Sequence, residues 1–373
     1  MFVGIANTPR DYAWGSTDDI ASLLGRQASG GPEAEYWLGT HPGSPSTIVG
    51  QAGTLAEVTS LPFIMKVLAA ETPVSLQAHP SPAQAVEGFA RENAAGIPLD
   101  APHRNYKDAQ HKPELVYAIS DRFEALCGFR PVVATRSVIE RFGDDPLITG
   151  LLDRLTDDSS LPAVFEWFMS GGEDVARLLE RVVELAPGVD GIEAATVVSL
   201  NVDYPGDPGI LVSLLLNRVT VRKGEVVYLP AGNIHSYLHG LGIEVLAASD
   251  NVLRGGLTPK HVDVPELLHV LDFRPLPVPF LRPSEPTDGV RVFQPDVPDF
   301  ELAVIEPTGG SAKFSPAGDA LLLCTEGSFV VSSATGERAA AKGESFYVSA
   351  DEGELTFTGE GTVFIATSNA VAG

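Results

Sequence analysis

The chain reads as short apolar runs broken by turn signals, interrupted once by a long stretch of helical spacing. Tyr36-Trp37-Leu38-Gly39 and Phe63-Ile64-Met65-Lys66-Val67-Leu68 predict strands, with Pro42, Gly43 and Pro45 breaking the chain between them. From Ser75 to His79 polar and apolar residues alternate, which puts Ser75, Gln77 and His79 on one face of a strand. Ser81-Pro82-Ala83-Gln84 is a helix start: Ser81 is the N-cap, Pro82 takes the first position, Gln84 closes a capping box, and Val86, Phe89 and Ala90 are the expected apolar stripe. Leu115 to Ile119 is strand-like again. Pro113 before it places the polar cluster Gln110 to Glu114 at a loop or edge, with Lys112 and Glu114 sharing a face.

Between about 128 and 215 the spacing becomes helical. Leu147, Leu151 and Leu155 recur at every fourth residue, and Val175, Leu178, Leu179, Val182 and Leu185 form a stripe of period 3.6. The β pattern resumes at Arg218-Val219-Thr220-Val221. It leads into a turn at Lys223-Gly224-Glu225, an apolar run from Val226 to Leu229, a Pro230-Ala231-Gly232 corner, and His235. Gly240-Leu241-Gly242 predicts a turn before a second strand, Ile243 to Ala247, and a polar loop then carries Asp250, Asn251 and Arg254. Pro275, Pro277, Pro279 and Pro283 mark a linker, and the rest is all-β. Lys342-Gly343-Glu344-Ser345-Phe346-Tyr347-Val348 echoes Lys223-Gly224-Glu225-Val226-Val227-Tyr228-Leu229, which sets Glu354 at the place of His235. The expectation is a mainly β protein with two related barrels and a small all-α insertion. The first barrel comprises residues 1–127 with 216–274, the helical insertion 128–215, and a C-terminal barrel without metal ligands 275–373.

Length and charge narrow the function. The 373 residues suffice for about two or three domains. With 25 Lys and Arg against 49 Asp and Glu, the net charge of -24 repels nucleic acid and anionic membranes. An anionic ligand therefore has to be held by cations gathered locally. The two cysteines, Cys127 and Cys324, lack metal spacing and read as buried thiols in a reducing compartment. The N-terminus has no basic region followed by an apolar core, and no apolar run approaches the roughly 20 residues needed to span a bilayer. A soluble cytoplasmic protein is expected.

Gln77, His79, Glu114 and His235 offer one amide, two imidazoles and one carboxylate from three strand-like segments. That donor set suits a divalent transition metal, zinc first, with a position left open for water or substrate. His239 is set aside because Gly232 and Gly240 argue against a helical His-x-x-x-His site. His41, His103, His261 and His269 read as solvated.

These residues stand in motifs that resemble a known family. Asp11-Tyr-Ala-Trp-Gly15, Tyr36-Trp-Leu-Gly-Thr-His-Pro42, Leu61-Pro-Phe-Ile-Met-Lys66, Ser75-Leu-Gln-Ala-His-Pro80, His111-Lys-Pro-Glu114, Pro230-Ala-Gly-Asn-Ile-His235 and Ser249-Asp-Asn-Val-Leu-Arg-Gly-Gly-Leu-Thr-Pro-Lys260 are similar, in order, to the type I mannose-6-phosphate isomerases of the cupin superfamily. The resemblance implies two cupin-like jelly-roll barrels, one zinc ion per chain on Gln77, His79, Glu114 and His235, and a catalytic Arg254. It also places Lys112, Glu244, Asp250 and Lys260 in the same cavity.

The implied reaction moves a proton between C1 and C2 of a sugar phosphate through an enediol. Glu244 is a candidate base, with Asp250 and His111 as alternatives. Lys66, Ser75 and Lys112 are the expected phosphate set, within reach of Arg254. The expected partner is a small sugar phosphate, with neither nucleic acid nor membrane, and with the chain as a monomer. A cupin oxygenase using iron and a non-catalytic sugar-phosphate sensor are the alternative readings, because one scaffold hosts many functions.

Overall fold

A computed structural model describes residues 1–369; residues 370–373 of the expected C-terminal unit lie outside it. The architecture is mainly β. The strands that bear on the site are β1 (Phe2–Ala6), β2 (Glu35–Leu38), β3 (Phe63–Ala70), β4 (Gln77–Ala78), β5 (Glu114–Ala118), β6 (Arg122–Phe129), β7 (Leu216–Arg222), β8 (Val226–Leu229), β9 (His235–Ala247) and β10 (Leu253–Arg254). The C-terminal strands include β11 (Glu301–Ile305), β12 (Ala320–Ser332), β13 (Ser345–Val348) and β14 (Leu355–Thr367). Two ten-stranded sheets result, and β1 joins the second of them by pairing with β13 across nearly the whole length of the chain. One apolar cluster takes residues from both sheets, among them Met65, Leu115, Val245, Leu302, Leu321 and Phe364.

The hub of the first sheet is β9. Its first residues pair with β4 and β6, and its last eight with β3 and, in part, β5. The expected turn at Gly240-Leu241-Gly242 is absent: the strand runs unbroken over 13 residues. The two glycines serve close approach instead. Gly240 has φ +128, and a Cβ there would sit 2.9 Å from Phe123 Cα; one at Gly242 would sit 2.9 Å from the Tyr117 carbonyl oxygen.

A bulge between Tyr237 and His239 shifts the register with β6 by one residue. Side chains alternate along a strand, so without the slip the odd-numbered His235 and even-numbered Glu244 would face opposite sides. With it, Tyr237 joins Val116, Phe123 and Val227 in the apolar cluster of the inner face, the face that also carries Lys66, Glu114 and Glu244.

Helices between Val132 and Ser213 back the site. Val175, Leu178, Leu179 and Val182 of the helix Glu173–Leu185 are buried as their spacing predicts. They share one apolar cluster with Leu76, Ala78, Leu253 and Leu257. The alternation from Ser75 to His79 is therefore used on both sides: Leu76 and Ala78 face the helical segment, while Ser75 and Gln77 face a cleft.

The helix at Ser81 spans Pro82–Ala94 with the expected capping box. Its buried face differs from the expected stripe, because it is Ala85, Gly88 and Glu92 that turn inward and Val86 that is exposed. The Tyr106 ring lies so close to Gly88 that a Cβ there would come within 2.3 Å, and Glu92 accepts the backbone N–H groups of Asn105 and Tyr106. The proline linker also differs from expectation: Phe280–Leu281 adds to the first sheet by pairing with Val227 and Val226. The internal echo extends in space, since both copies are a glycine turn (Gly224 φ +88, Gly343 φ +87), a four-residue strand, and then a 13-residue strand.

Candidate metal centre and its cleft

The sheet register sets up the centre. His235 opens β9 opposite Gln77 of β4, and Gln77 in turn faces Arg254 of β10. Residues paired across antiparallel strands project to one side, so His235, Gln77 and Arg254 form a row. Glu114 opens β5, two residues after a lysine freed from the ladder by Pro113. His79, Glu114 and His235 are each at most 3% exposed, and one potential ligand atom from each lies within 4.8 Å of the others.

Hydrogen bonding fixes which imidazole nitrogens face inward. His79 Nδ1 is 2.8 Å from the Asn251 carbonyl and His235 Nδ1 is 3.1 Å from the Asn233 carbonyl. A carbonyl only accepts, so both Nδ1 atoms carry the proton and both Nε2 atoms present a lone pair. Those two Nε2 atoms are buried with no hydrogen-bond partner. They lie 3.3 and 3.4 Å from the two oxygens of Glu114. Buried polar atoms are rarely left unpaired, and two lone pairs converging on a carboxylate are the donor set of a metal site.

The charge states agree. Burial, reinforced by Lys112, pushes His79 down to about 4, which keeps the ring neutral. Burial alone would raise the Glu114 carboxyl, but the positive charge of Lys112 outweighs it and holds it well below its usual value. Glu114 is thus an anion, with Lys112 Nζ 2.8 Å away.

A cleft of about 380 Å³ opens beside this centre, lined in part by Ser75, Gln77, Lys112, Asp250, Arg254 and Lys260. Its cations fall into two classes. Lys66 Nζ is 3.2 Å from Glu35 and 3.1 Å from Glu244, and lies over the Trp37 ring. Burial works against its charge, yet Glu35 and Glu244 prevail and raise its pKa. Lys112 is likewise taken by Glu114. Among the described residues, Arg254 and Lys260 have no carboxylate partner. Burial pushes Arg254 down, and partial burial with the neighbouring Arg254 does the same to Lys260. Asp250 projects into the cleft and is held by His41, whose Nε2 is 3.3 Å away and whose Nδ1 accepts from Gly43 N–H. That bond with His41 keeps Asp250 below its usual pKa.

Comparisons with known proteins match this geometry to a family. The model of the type I phosphomannose isomerase catalytic domain covers residues 2–132, and that of the mannose-6-phosphate isomerase cupin domain covers 291–368. Mannose-6-phosphate isomerase of Escherichia coli K12 is 34% identical over 381 residues, 96% of this chain and 97% of its own. The chain belongs to the mannose-6-phosphate isomerase family. The human member is 31% identical, with 87% of this chain and 88% of its own covered. A crystal structure of a zinc-bound mannose 6-phosphate isomerase superposes with a TM-score of 0.91 at 33% identity, covering 99% of each chain. The resemblance read from the motifs is thus borne out at family level across nearly the whole sequence.

Within this member of the isomerase family, the structure gathers Gln77, His79, Glu114 and His235 with Lys112, Asp250, Arg254 and Lys260 around one cleft. Beyond the ligand set, two expected site residues do not line the cleft. His111 pairs with Asp299 at 2.9 Å, away from the cleft lining. Glu244 lies beneath Lys66 and is 3% exposed, its carboxyl raised by burial against the pull of Lys66. His41, read as solvated, is buried and paired with Asp250. Glu35 and Asn251 were not singled out for the site. Glu35 had a signal in its alternation with Trp37, to whose indole N–H it accepts a bond of 2.9 Å.

The Lys66 pairings give a stability prediction. Lys66→Met leaves two buried carboxylates facing one another, and removing one partner of a buried ion network typically costs roughly 3–5 kcal/mol. Urea denaturation of the metal-free protein should show a loss of that order, and an unchanged midpoint would mean that Lys66 is not the counterion of Glu35 and Glu244.

Proposed function

We propose that this member of the family interconverts D-mannose 6-phosphate and D-fructose 6-phosphate with one zinc ion per chain, on two cupin-like jelly rolls with a helical insertion. The observation that carries the reading is the pair of buried imidazoles whose unpartnered Nε2 atoms face Glu114 at the foot of a cationic cleft. Gln77, His79, Glu114 and His235 would hold the ion. Zinc, when bound, supplies a Lewis-acid charge that stabilises negative charge developing at the sugar's O1 and O2.

The chain's own groups supply the rest. Arg254 and Lys260, without a carboxylate partner among the described residues, can take the phosphate with Ser75, a change from the expected set of Lys66, Ser75 and Lys112 that follows from the prior engagement of both lysines. Asp250 lines the cleft and, among the described residues, pairs with no lysine or arginine, so it is better placed to act as the base than Glu244 or His111. In the aldose-to-ketose direction it removes the proton from C2, passing through an enediol, and returns it to C1, while a hydroxyl proton moves from O2 to O1. Lys112 keeps Glu114 ionised, and the fixed guanidinium of Arg254 offsets charge on the substrate.

The test is fructose 6-phosphate formation from mannose 6-phosphate by the protein as isolated, after chelation, and after zinc is restored. Loss on chelation and recovery with zinc is the expected result. A folded, zinc-loaded protein that binds the sugar phosphate without turnover would replace the isomerase reading with a non-catalytic binding protein.

A further inference from the structure

We infer that Asn251 is a positioning residue for the metal centre: its side chain latches two loops together so that its own carbonyl holds His79. This rests on the zinc reading above. The two imidazoles are oriented by different means. His235 bonds a carbonyl two residues away, within its own turn, whereas His79 depends on Asn251, which is 172 positions distant. The Asn251 carbonyl must therefore be kept in place by something other than local chain geometry.

The side chain of Asn251 does this, and the residue is fully buried. Its Oδ1 accepts from the backbone N–H groups of Lys107 at 2.7 Å and Asp108 at 3.2 Å. Its Nδ2 donates to the carbonyls of Asp108 and Gln110, both at 2.8 Å, and is 3.3 Å from Asp108 Oδ1. An amide can accept from main-chain N–H groups while donating two protons to two main-chain carbonyls; an ionised carboxylate donates none and a hydroxyl only one. Asp108 completes the latch from the other side by accepting from Ser249 Oγ and the Asp250 N–H, each at 2.9 Å, and from Gln110 N at 2.8 Å.

The latched loops also carry catalytic groups. The 107–110 loop runs directly into Lys112 and Glu114, and the 249–251 loop carries Asp250 and leads to Arg254. One buried amide thus sets the tautomer and aim of His79, and with it the spacing between a metal ligand and the cleft carboxylate. Groups that orient ligating histidines typically change metal affinity by about 10- to 100-fold when lost.

The experiment compares the native chain with Asn251→Ala and Asn251→Asp. It measures the zinc dissociation constant by competition with a chromophoric chelator, the visible spectrum after cobalt substitution, and melting of the metal-free protein. The expected result is a zinc dissociation constant about 10- to 100-fold higher and an altered cobalt spectrum in variants that remain folded. The spectrum reports ligand geometry, which a purely structural role would leave unchanged. Failure of the native chain to bind zinc would defeat the zinc reading itself. Native zinc binding together with native affinity and spectrum in folded variants would overturn the latch alone. If both Asn251 variants fail to fold, Asp108→Asn decides: weakened zinc binding in a folded protein supports the latch, while native binding, or a third failure to fold, overturns it.

Discussion

Replacing His235 by alanine is expected to lower zinc affinity by orders of magnitude and the isomerase rate by roughly a thousandfold or more, which corresponds to about 4 kcal/mol of transition-state stabilisation. His235 is 1% exposed, its Nδ1 is already bonded to the Asn233 carbonyl, and its Nε2 has no other partner. Among the described residues the cluster holds one other imidazole, His79, which is itself a ligand candidate and so cannot substitute. The loss should be visible as zinc content near zero by elemental analysis and as a rate that added zinc does not restore. Metal-free stability should change far less. The deletion removes packing, but it also removes a buried lone pair that the metal-free protein leaves unsatisfied. Zinc should then raise the melting temperature of the native protein and not that of the variant, because only a ligand bound to the folded state stabilises it. A variant that retains one zinc per chain would show that the ligand set is wrong.

Much of the site was legible because its residues sit in strands and turns with strong local signals. The alternation from Ser75 to His79 separated the cleft face from Leu76 and Ala78, which pack on the helices. Pro113 announced that the polar cluster ending at Glu114 enters a strand from a loop or edge, and the glycine turn and Pro230 corner led to His235 at the start of β9. The echo between residues 223–229 and 342–348 was legible for the same reason, because turn chemistry is written locally.

Tertiary choices were not legible. Gly240 and Gly242 have the composition of a turn, yet their missing side chains admit Phe123 and the Tyr117 carbonyl within a continuous strand. The bulge that brings His235 to the face of Glu244 leaves no mark in hydrophobic periodicity. Val86 and Phe89 outweigh Gly88 on any hydrophobicity scale, but the helix turns Gly88 inward because Tyr106 needs the space. Charge partners were the least accessible. Whether a lysine near a metal site is free to meet phosphate depends on which carboxylates reach it first. Glu35 and Glu244 come to Lys66 from two different strands, β2 and β9, and that coincidence exists only in the folded sheet.

The same sorting of cations makes Arg254 the second residue whose loss should be severe. It stands beside Gln77 in the row that begins at His235, and two interstrand spacings separate it from that ligand, about 10 Å across the sheet. That position lets it reach a substrate whose other end lies at the metal. No carboxylate among the described residues neutralises it, and burial makes its charge costly until an anion arrives, so binding substrate relieves a cost already present in the free enzyme. Arg254→Ala is expected to lower kcat/KM by roughly 10² to 10³, the range for removing one preorganised donor. Zinc should remain at one per chain, because Arg254 touches none of the buried ligand atoms. The division of the loss defines the role: a rise in KM alone means a phosphate clamp, whereas an equal fall in kcat and kcat/KM means a contact made only in the transition state. Arg254→Lys keeps the charge without the planar fork and should recover part of the rate if phosphate is the target, since a point charge also binds phosphate. Loss of zinc from Arg254→Ala, or a rate close to native, would remove Arg254 from the chemistry and return the phosphate to Lys260 and Ser75.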